Sequence, residues 1–238
     1  MVRHGAWLLA GIVLIGGALA SVRMLPAPAA PGPEAGDPAA AILRGVLGGT
    51  RQSVSNFLWI RSYLYWEERD AAGMENAMLW ALRLTPENKW FWKNAARVLA
   101  YDVPHWERSG AGAREPENAL PAAPRRALLL LALAEDRFPG SPGFSIERGL
   151  ILLNVFGDRR AAAQAFREAW ERPGAPHYTA RVHGELLRAT GHTGAAYRWY
   201  RDLYPRLPDD DPAAAKSVIL KRIRALEEEL GVAEPFEP

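Results

Sequence analysis

Three polar side chains in the middle of the chain have the types and spacing of an anion-binding set. Lys93, Asn94 and Arg97 follow one another at spacings of one and three residues, so they share one side of a helix. Charge-assisted hydrogen bonds would hold a peptide carboxylate there, with the guanidinium binding in bidentate fashion. The alternative interpretation is that all three are solvated polar residues on an exposed helix.

The segment 57–106 is unusually rich in aromatic residues. A solvated groove lined by such rings would bind a peptide or a glycan, because aromatic residues and Arg concentrate at binding hot spots. The alternative is that most rings pack between helices, as we expect for Tyr65 and Trp92. The residues concerned are Trp59, Tyr63, Tyr65, Trp66, Trp90, Trp92, Tyr101 and Trp106.

No arrangement of residues typical of catalysis or metal binding is recognisable in the sequence. The chain has no Cys, which removes thiol chemistry and Cys-based metal sites. His177, His183 and Glu185 do not have the spacing of a zinc motif, so we expect them on a helix surface. His105 and Trp106 could contact a ligand, but no nucleophile motif lies near them. We therefore predict no enzyme activity, no cofactor and no metal.

The elements that position these residues are indicated by an internal repeat. A small residue or an aromatic residue recurs after 34 positions, and each repeated Ala precedes its aromatic residue by four, which places the two on one helix face. A pair of short helices cannot bury an apolar face alone, so several such hairpins must stack. The recurring pairs are Gly157 and Gly191, Ala162 and Ala196, and Phe166 and Tyr200.

This pattern resembles the tetratricopeptide-repeat (TPR) family over about residues 55–210. The resemblance implies an all-α fold, a right-handed superhelix of stacked helical hairpins, followed by a C-terminal capping helix at 212–230 and a tail at 231–238. The third repeat departs from the family pattern with Leu150 at a small-residue position, and the first with Met74 and Met78. We place the repeats at 55–88, 89–141 with a loop-like insert at 102–121, 143–176 and 177–210.

In the TPR family the first helix of each hairpin lines a concave groove, so the resemblance also implies a set of groove residues. These would bind a peptide or another protein, with the insert decorating the same face. The implied partner-binding residues are Asn56, Trp59, Tyr63, Trp90, Lys93, Asn94, Arg97, Tyr101, His105, Trp106, Asn154, Arg181, Glu185 and Arg188. Trp66, Phe144, Glu147 and Tyr178 occupy further positions of the same kind.

The N-terminal segment predicts export. Residues 5–22 are uncharged, mostly apolar and preceded by Arg3 and His4, which fits a single-pass signal anchor within segment 1–23. The alternative is a signal peptide cleaved after Ala20, leaving a periplasmic protein. Residues 24–38 contain five Pro and predict a semi-rigid linker to the helical domain at 39–230.

The net charge of +2 gives no support to nucleic-acid binding. Two stretches, 52–70 and 89–106, are similar to a group of uncharacterised membrane-anchored repeat proteins of bacterial envelopes. We therefore expect an inner-membrane scaffold whose periplasmic groove binds a peptide segment or another envelope protein. The alternatives are an envelope-glycan-binding protein or enzyme, and a purely architectural subunit.

Overall fold

The computed structural model describes residues 38–109 and 122–237. These residues form helices and turns without any β-strand, which confirms the predicted all-α class. No helix within the described ranges is both long and apolar enough to cross a bilayer. The predicted anchor at 5–22, the linker up to Asp37 and residues 110–121 of the insert lie outside the described residues.

The helices alternate with short turns along the chain. A 3₁₀ turn joins the first two helices, a π-helical turn at Val98–Asp102 interrupts the path between the fourth and fifth, and a 3₁₀ turn at Pro212–Ala214 precedes the last. The α-helices are α1 (Pro38–Leu47), α2 (Arg51–Glu67), α3 (Ala71–Leu84), α4 (Lys89–Arg97), α5 (Val103–Ser109), α6 (Ala122–Arg137), α7 (Pro142–Asn154), α8 (Arg159–Trp170), α9 (Tyr178–Ala189), α10 (Thr193–Leu203) and α11 (Lys216–Leu230).

The helices pack as consecutive hairpins. Helix α2 packs on α3, α4 on α6, α7 on α8, and α9 on α10, while α8 also packs on α9 and α10 on α11. Asp70, Asn88 and Asp158 cap the N-termini of α3, α4 and α8, because their side chains accept hydrogen bonds from first-turn N–H groups. Each hairpin thus covers the apolar side of its neighbour, as repeat packing requires.

The two clearest hairpins share a close contact between a glycine and an aromatic ring. Gly184 on α9 faces the ring of Tyr200 on α10, and Gly149 on α7 faces the ring of Phe166 on α8. Both rings are buried. Leu150, the departure from the repeat pattern, is half-buried, and Gly149 beside it supplies the small residue against which Phe166 packs.

The first hairpin buries its departures from the family pattern. Met74 and Met78 on α3 are both in the core, where the flexible thioether side chains fill the space between helices. A buried polar contact fixes α2 against the end of α3, because the Ser55 hydroxyl donates to the Ala81 carbonyl at 2.9 Å and lies 2.6 Å from the Thr85 hydroxyl. This contact satisfies both buried hydroxyl groups.

The insert begins as a helix and not as the loop that its composition predicts. Asp102 closes the π-helical turn, and Val103–Ser109 continues as α5 with Val103 buried. Burial of Val103 against the neighbouring helices outweighs the Gly, Pro and Ser content of the segment as a whole, since tertiary packing overrides local propensity. The helical start brings Trp106 back toward α2.

Helix α11 covers the end of the domain, with Ile219, Ile223 and Leu226 buried against α10. In the segment after it, which the sequence analysis predicts as a tail, the Phe236 ring packs on Tyr204. Its backbone N–H also donates a short hydrogen bond to the Glu227 carboxylate. The final turn therefore folds back over the last hairpin.

His183 is a correction to the sequence analysis, because it is buried in the core between α8, α9 and α10 instead of lying on a helix surface. Its Nδ1 donates to the Ala163 carbonyl at 2.7 Å, and its ring meets Trp199 edge to face at 4.5 Å. Removal from water disfavours the charged imidazolium, so burial lowers the pKa of His183 below its ordinary value of 6.5.

We expect His183 to make the domain less stable as the pH falls. The unfolded chain binds a proton near pH 6.5, whereas the folded chain resists it, so stability is complete above about pH 7 and declines as the pH drops below about 6.5. Denaturant titrations at pH 7 and pH 5 measure the decline. His183→Asn keeps a donor for Ala163 but cannot titrate, so its decline should be smaller; an equal decline in both proteins would contradict this assignment.

Candidate functional site

Helices α2 and α4, the first helices of the first two hairpins, bring aromatic side chains together. The ring of Trp59 on α2 stacks flat on Phe91 of α4, with 4.4 Å between ring centroids, and meets Trp90 edge to face at 5.2 Å. Phe91 is buried, whereas Trp90 keeps 54% of its surface exposed. The buried Phe91 ring therefore fixes the half-buried Trp59 and the exposed Trp90.

A second aromatic group lies one turn further along α2. Tyr63 stacks on Trp66 at 5.7 Å, and Trp66 meets Trp106 of α5 edge to face at 5.8 Å. The indole N–H of Trp66 donates to the Asp102 carboxylate at 2.8 Å, which fixes the ring on the π-helical turn. Tyr63 is 57% exposed.

These two groups form one surface, because Trp59 and Tyr63 are four residues apart on α2 and so lie on the same face. We call it the aromatic row, and it consists of Trp90, Trp59, Tyr63, Trp66 and Trp106. Within each of the two groups, neighbouring rings stack or meet edge to face, an arrangement that orders them before any ligand arrives. Tyr63 and Trp90 are exposed and the other three rings are half-buried, so the row can take apolar side chains, proline rings or sugar rings on its exposed faces.

The predicted carboxylate-binding set is largely used within the protein. Arg97 Nε donates to Glu147 Oε2 at 2.8 Å, and this hydrogen bond raises the pKa of Arg97 above its ordinary value. Asn94 donates to the carbonyl of Trp90 on the preceding turn, at 2.8 Å. Among the three, only Lys93 has neither a hydrogen bond nor an ion pair within the described ranges. One cation therefore stands beside the aromatic row.

Beside this ion pair, Tyr101 forms a second link between neighbouring hairpins. Its hydroxyl hydrogen-bonds the side chain of Asn154 on α7, and burial raises the pKa of Tyr101 above its ordinary value. The nearby Glu147 carboxylate raises it further. The predicted groove residues Arg97, Tyr101 and Asn154 are thus brought together, and they hold α4 and the π-helical turn against α7.

The predicted residues of the last repeat form a separate cluster that supports the capping helix. Glu185 accepts hydrogen bonds from Arg222 Nε at 2.6 Å and from the Tyr200 hydroxyl at 3.1 Å, and Arg188 lies 3.5 Å away. Arg181 donates to the carbonyl of Ala213 at 3.0 Å. These contacts stabilise the end of the domain and leave little of the cluster for a partner.

Asn56 and His105 complete the set of predicted residues. Asn56 is exposed on α2 and accepts a hydrogen bond from Gln52 at 2.8 Å. His105 is exposed on α5, next to Trp106 of the aromatic row. Both side chains are therefore exposed to solvent.

A small cavity next to the aromatic row was missed by the sequence analysis. It has a volume of about 290 Å³ and lies between the turn that follows α2 and the start of α5. Arg69 in its wall has a φ of 57°, in the left-handed region that side chains rarely adopt. No local sequence signal identifies the cavity, because its walls come from helices separated by the π-helical turn. They consist of Arg69, Ala71, Val103, Trp106 and Glu107.

Within the ranges 38–109 and 122–237, no three His, Cys, Asp or Glu side chains lie close enough to hold a metal ion.

No protein-family model, no curated protein and no solved structure matches the chain. The candidate site is thus the aromatic row with Lys93 beside it and the small cavity at its α5 end.

Proposed function

We propose that this protein is a binding scaffold whose hairpins form a right-handed superhelix of TPR type, with the first helices lining its concave face. The aromatic row supports this proposal most strongly. It combines ordered rings, two of them more than half exposed, with the Lys93 ammonium group, which has no hydrogen bond or ion pair to any residue that the structure describes. A rigid surface of this kind binds without a large ordering cost on the protein's side.

The expected partner is an extended peptide segment or a protein of the bacterial envelope. Extended segments fit such a face because alternate side chains reach successive rings while the backbone stays solvated. The proposed location is the periplasmic side of the inner membrane, held by residues 5–22, with cleavage after Ala20 as the alternative. The free Lys93 would favour a segment that carries an acidic group near its aromatic or proline residues.

We expect a Tyr63→Ala/Trp90→Ala/Lys93→Ala variant to lose its partner. Truncating a hot-spot aromatic residue costs about 2 kcal/mol or more, so recovery of the partner should fall by at least about tenfold. Crosslinking followed by purification from native membranes measures it. The matched control is Leu129→Ala/Val218→Ala, which removes two side chains that are each 54% exposed on α6 and α11. A partner recovered equally with both variants would contradict binding at the aromatic row.

The same experiment distinguishes the remaining functions. A protein-free glycan recovered through the aromatic row would make the protein an envelope-glycan-binding protein, because sugar rings also stack on aromatic faces. Partner recovery that depends on Leu129 and Val218 would favour an architectural subunit that packs through the outer surface. In either case the groove proposal as stated would be wrong.

A further inference from the structure

Helix α2 carries a second exposed surface that the aromatic row does not use. Phe57, Ile60 and Leu64 follow one another at spacings of three and four, so they form one stripe along the helix. Their exposed fractions are 36%, 62% and 49%. Isolated apolar residues on a surface are ordinary, but a contiguous stripe marks an interaction site. We call this stripe the α2 apolar stripe.

The preceding helix does not cover this stripe. Helix α1 packs against α3, and it adds exposed apolar side chains of its own, since Ile42 is 67% and Val46 80% exposed. At the opposite end of the domain, by contrast, α11 buries Ile219, Ile223 and Leu226. The two ends of this helical domain therefore differ: α11 covers the C-terminal end, whereas the N-terminal end exposes apolar surface.

The charged residues along α2 up to Trp66 are all basic, and acidic residues begin only at the C-terminal end of the stripe. Between Pro38 and Trp66 the chain contains three Arg and no Asp or Glu, although the whole chain carries a net charge of only +2. Arg51 pairs with Glu87. Arg61 flanks the stripe, hydrogen-bonds the Tyr65 hydroxyl at 3.2 Å and has no carboxylate partner in the described part of the chain. After Pro38 the first acidic residues are Glu67, at the last position of α2, and Glu68 beside it, three and four residues after Leu64.

The position of this end in the chain indicates what covers it. Thirty-seven residues precede α1, and they include the uncharged apolar run at 5–22 and a linker rich in proline. The uncovered apolar surface thus belongs to the N-terminal end of the domain, the end that is connected in sequence to an apolar run suited to a bilayer. Helices with apolar side chains on one face and Arg beside it lie in the interface of anionic membranes.

We propose that the α2 apolar stripe rests on the surface of an anionic lipid bilayer, with Ile60 and its neighbours below the headgroups and Arg61 at their level. The linker then does not hold the domain away from the membrane. The aromatic row, on the adjacent face of α2, is held beside the bilayer surface and faces partners that run along it. The stripe borders the aromatic row, since Ile60 and Tyr63 are three residues apart on α2, but it contains none of the row's residues.

Fluorescent labelling of single cysteines in the full chain tests this proposal, because the native sequence has no Cys. Ile60→Cys and Val218→Cys are labelled with an environment-sensitive dye and reconstituted into vesicles that contain phosphatidylglycerol and a spin-labelled quencher lipid. Val218 is the matched control, since it is 54% exposed on α11. We expect quenching at position 60 to exceed that at position 218 by about twofold or more, as for a residue inserted below the headgroups.

Three results would overturn the proposal. Absent quenching at position 60, or equal quenching at both positions, would show that α2 does not face the lipid. Equal quenching in vesicles of phosphatidylcholine alone would exclude a role for anionic lipid. The third result has two parts: unlabelled Ile60→Cys forms disulfide-linked dimers in solution, and the labelled protein shows no quenching when vesicles are added. It would assign the stripe to a second copy of the chain.

A charge variant adds an independent readout. Arg61→Gln should reduce the quenching at position 60 in anionic vesicles, since a basic residue near the surface is attracted to anionic headgroups. Arg125→Gln, on an exposed position of α6, should leave it unchanged. Equal quenching in both variants would remove Arg61 from the proposed contact and overturn its charge-based part.

Discussion

The Gly184→Ala variant will unfold at a lower denaturant concentration than the wild type. A Cβ atom at this position would lie 2.4 Å from Cζ and 2.6 Å from the hydroxyl oxygen of Tyr200, far inside van der Waals contact. The buried ring must move, and it loses its hydrogen bond to the Arg181 carbonyl. Overpacking costs about 1–3 kcal/mol, and we expect a value near the upper limit although Ala favours helix more than Gly does by about 1 kcal/mol.

Gly149→Ala is the matched control. Its Cβ would approach the Phe166 ring to 3.0 Å, a tight contact that a small shift relieves. We therefore expect Gly149→Ala to cost less than half as much as Gly184→Ala. Equal free energies of unfolding for Gly184→Ala and the wild type would show that α9 and α10 are not packed as described.

Arg97→Ala will also destabilise the domain, through Glu147. The Glu147 side chain is only 3% exposed, and Arg97 Nε is its hydrogen-bond donor. Removing one member of a buried pair costs about 3–5 kcal/mol, but half of the Arg97 side chain faces water, so we expect about 2 kcal/mol. Denaturant unfolding of the purified domain measures the change in the free energy of unfolding.

The double variant Arg97→Ala/Glu147→Gln separates charge from packing. It removes the buried charge along with its partner, so it should be more stable than Arg97→Ala alone by about 1 kcal/mol. If Arg97→Ala leaves the free energy of unfolding unchanged, the ion pair contributes no stability. Arg97 could then bind a partner without loss of stability. The unfolding measurement thus decides whether Arg97 belongs in a binding assay.

The helical core could be predicted from the repeat period and from the four-residue spacing within each repeat. Ala162, Ala196, Phe166 and Tyr200, taken from the 34-residue period, are all buried. Spacing predicts these positions because each helix must turn the same face toward its neighbour in every hairpin. It could not distinguish a surface histidine from a core one, and so it misplaced His183, whose covering atoms come from α8 and α10.

The candidate site was less predictable, because its contacts join distant parts of the chain. Arg97 and Glu147 are 50 residues apart, and Glu185 meets Arg222 across 37. A helix-face assignment predicts which side chains point outward, but it does not tell which of them meet a partner of opposite charge. The predicted aromatic residues remain better candidates for binding than the predicted charged ones, since rings that stack on one another still present a face to solvent.

The apolar stripe on α2 illustrates the same limit in the opposite direction. The spacing of Phe57, Ile60 and Leu64 puts them on one face of α2, but spacing alone does not tell whether a neighbouring helix covers that face. Only the three-dimensional structure shows that α1 packs on α3 and leaves the stripe uncovered.

The π-helical turn at Val98–Asp102 sets the direction in which the side chains of α5 point, because α5 continues directly from it. An α-helix rotates by 100° per residue, so one additional residue in a widened turn shifts the facing of later side chains by about that angle. Asp102 and Trp106 meet Trp66 only in this phase. The length of the segment between Arg97 and Val103 is therefore fixed more strictly than its composition: a one-residue deletion there would turn Trp106 away from α2 and divide the aromatic row, whereas conservative substitutions would preserve it.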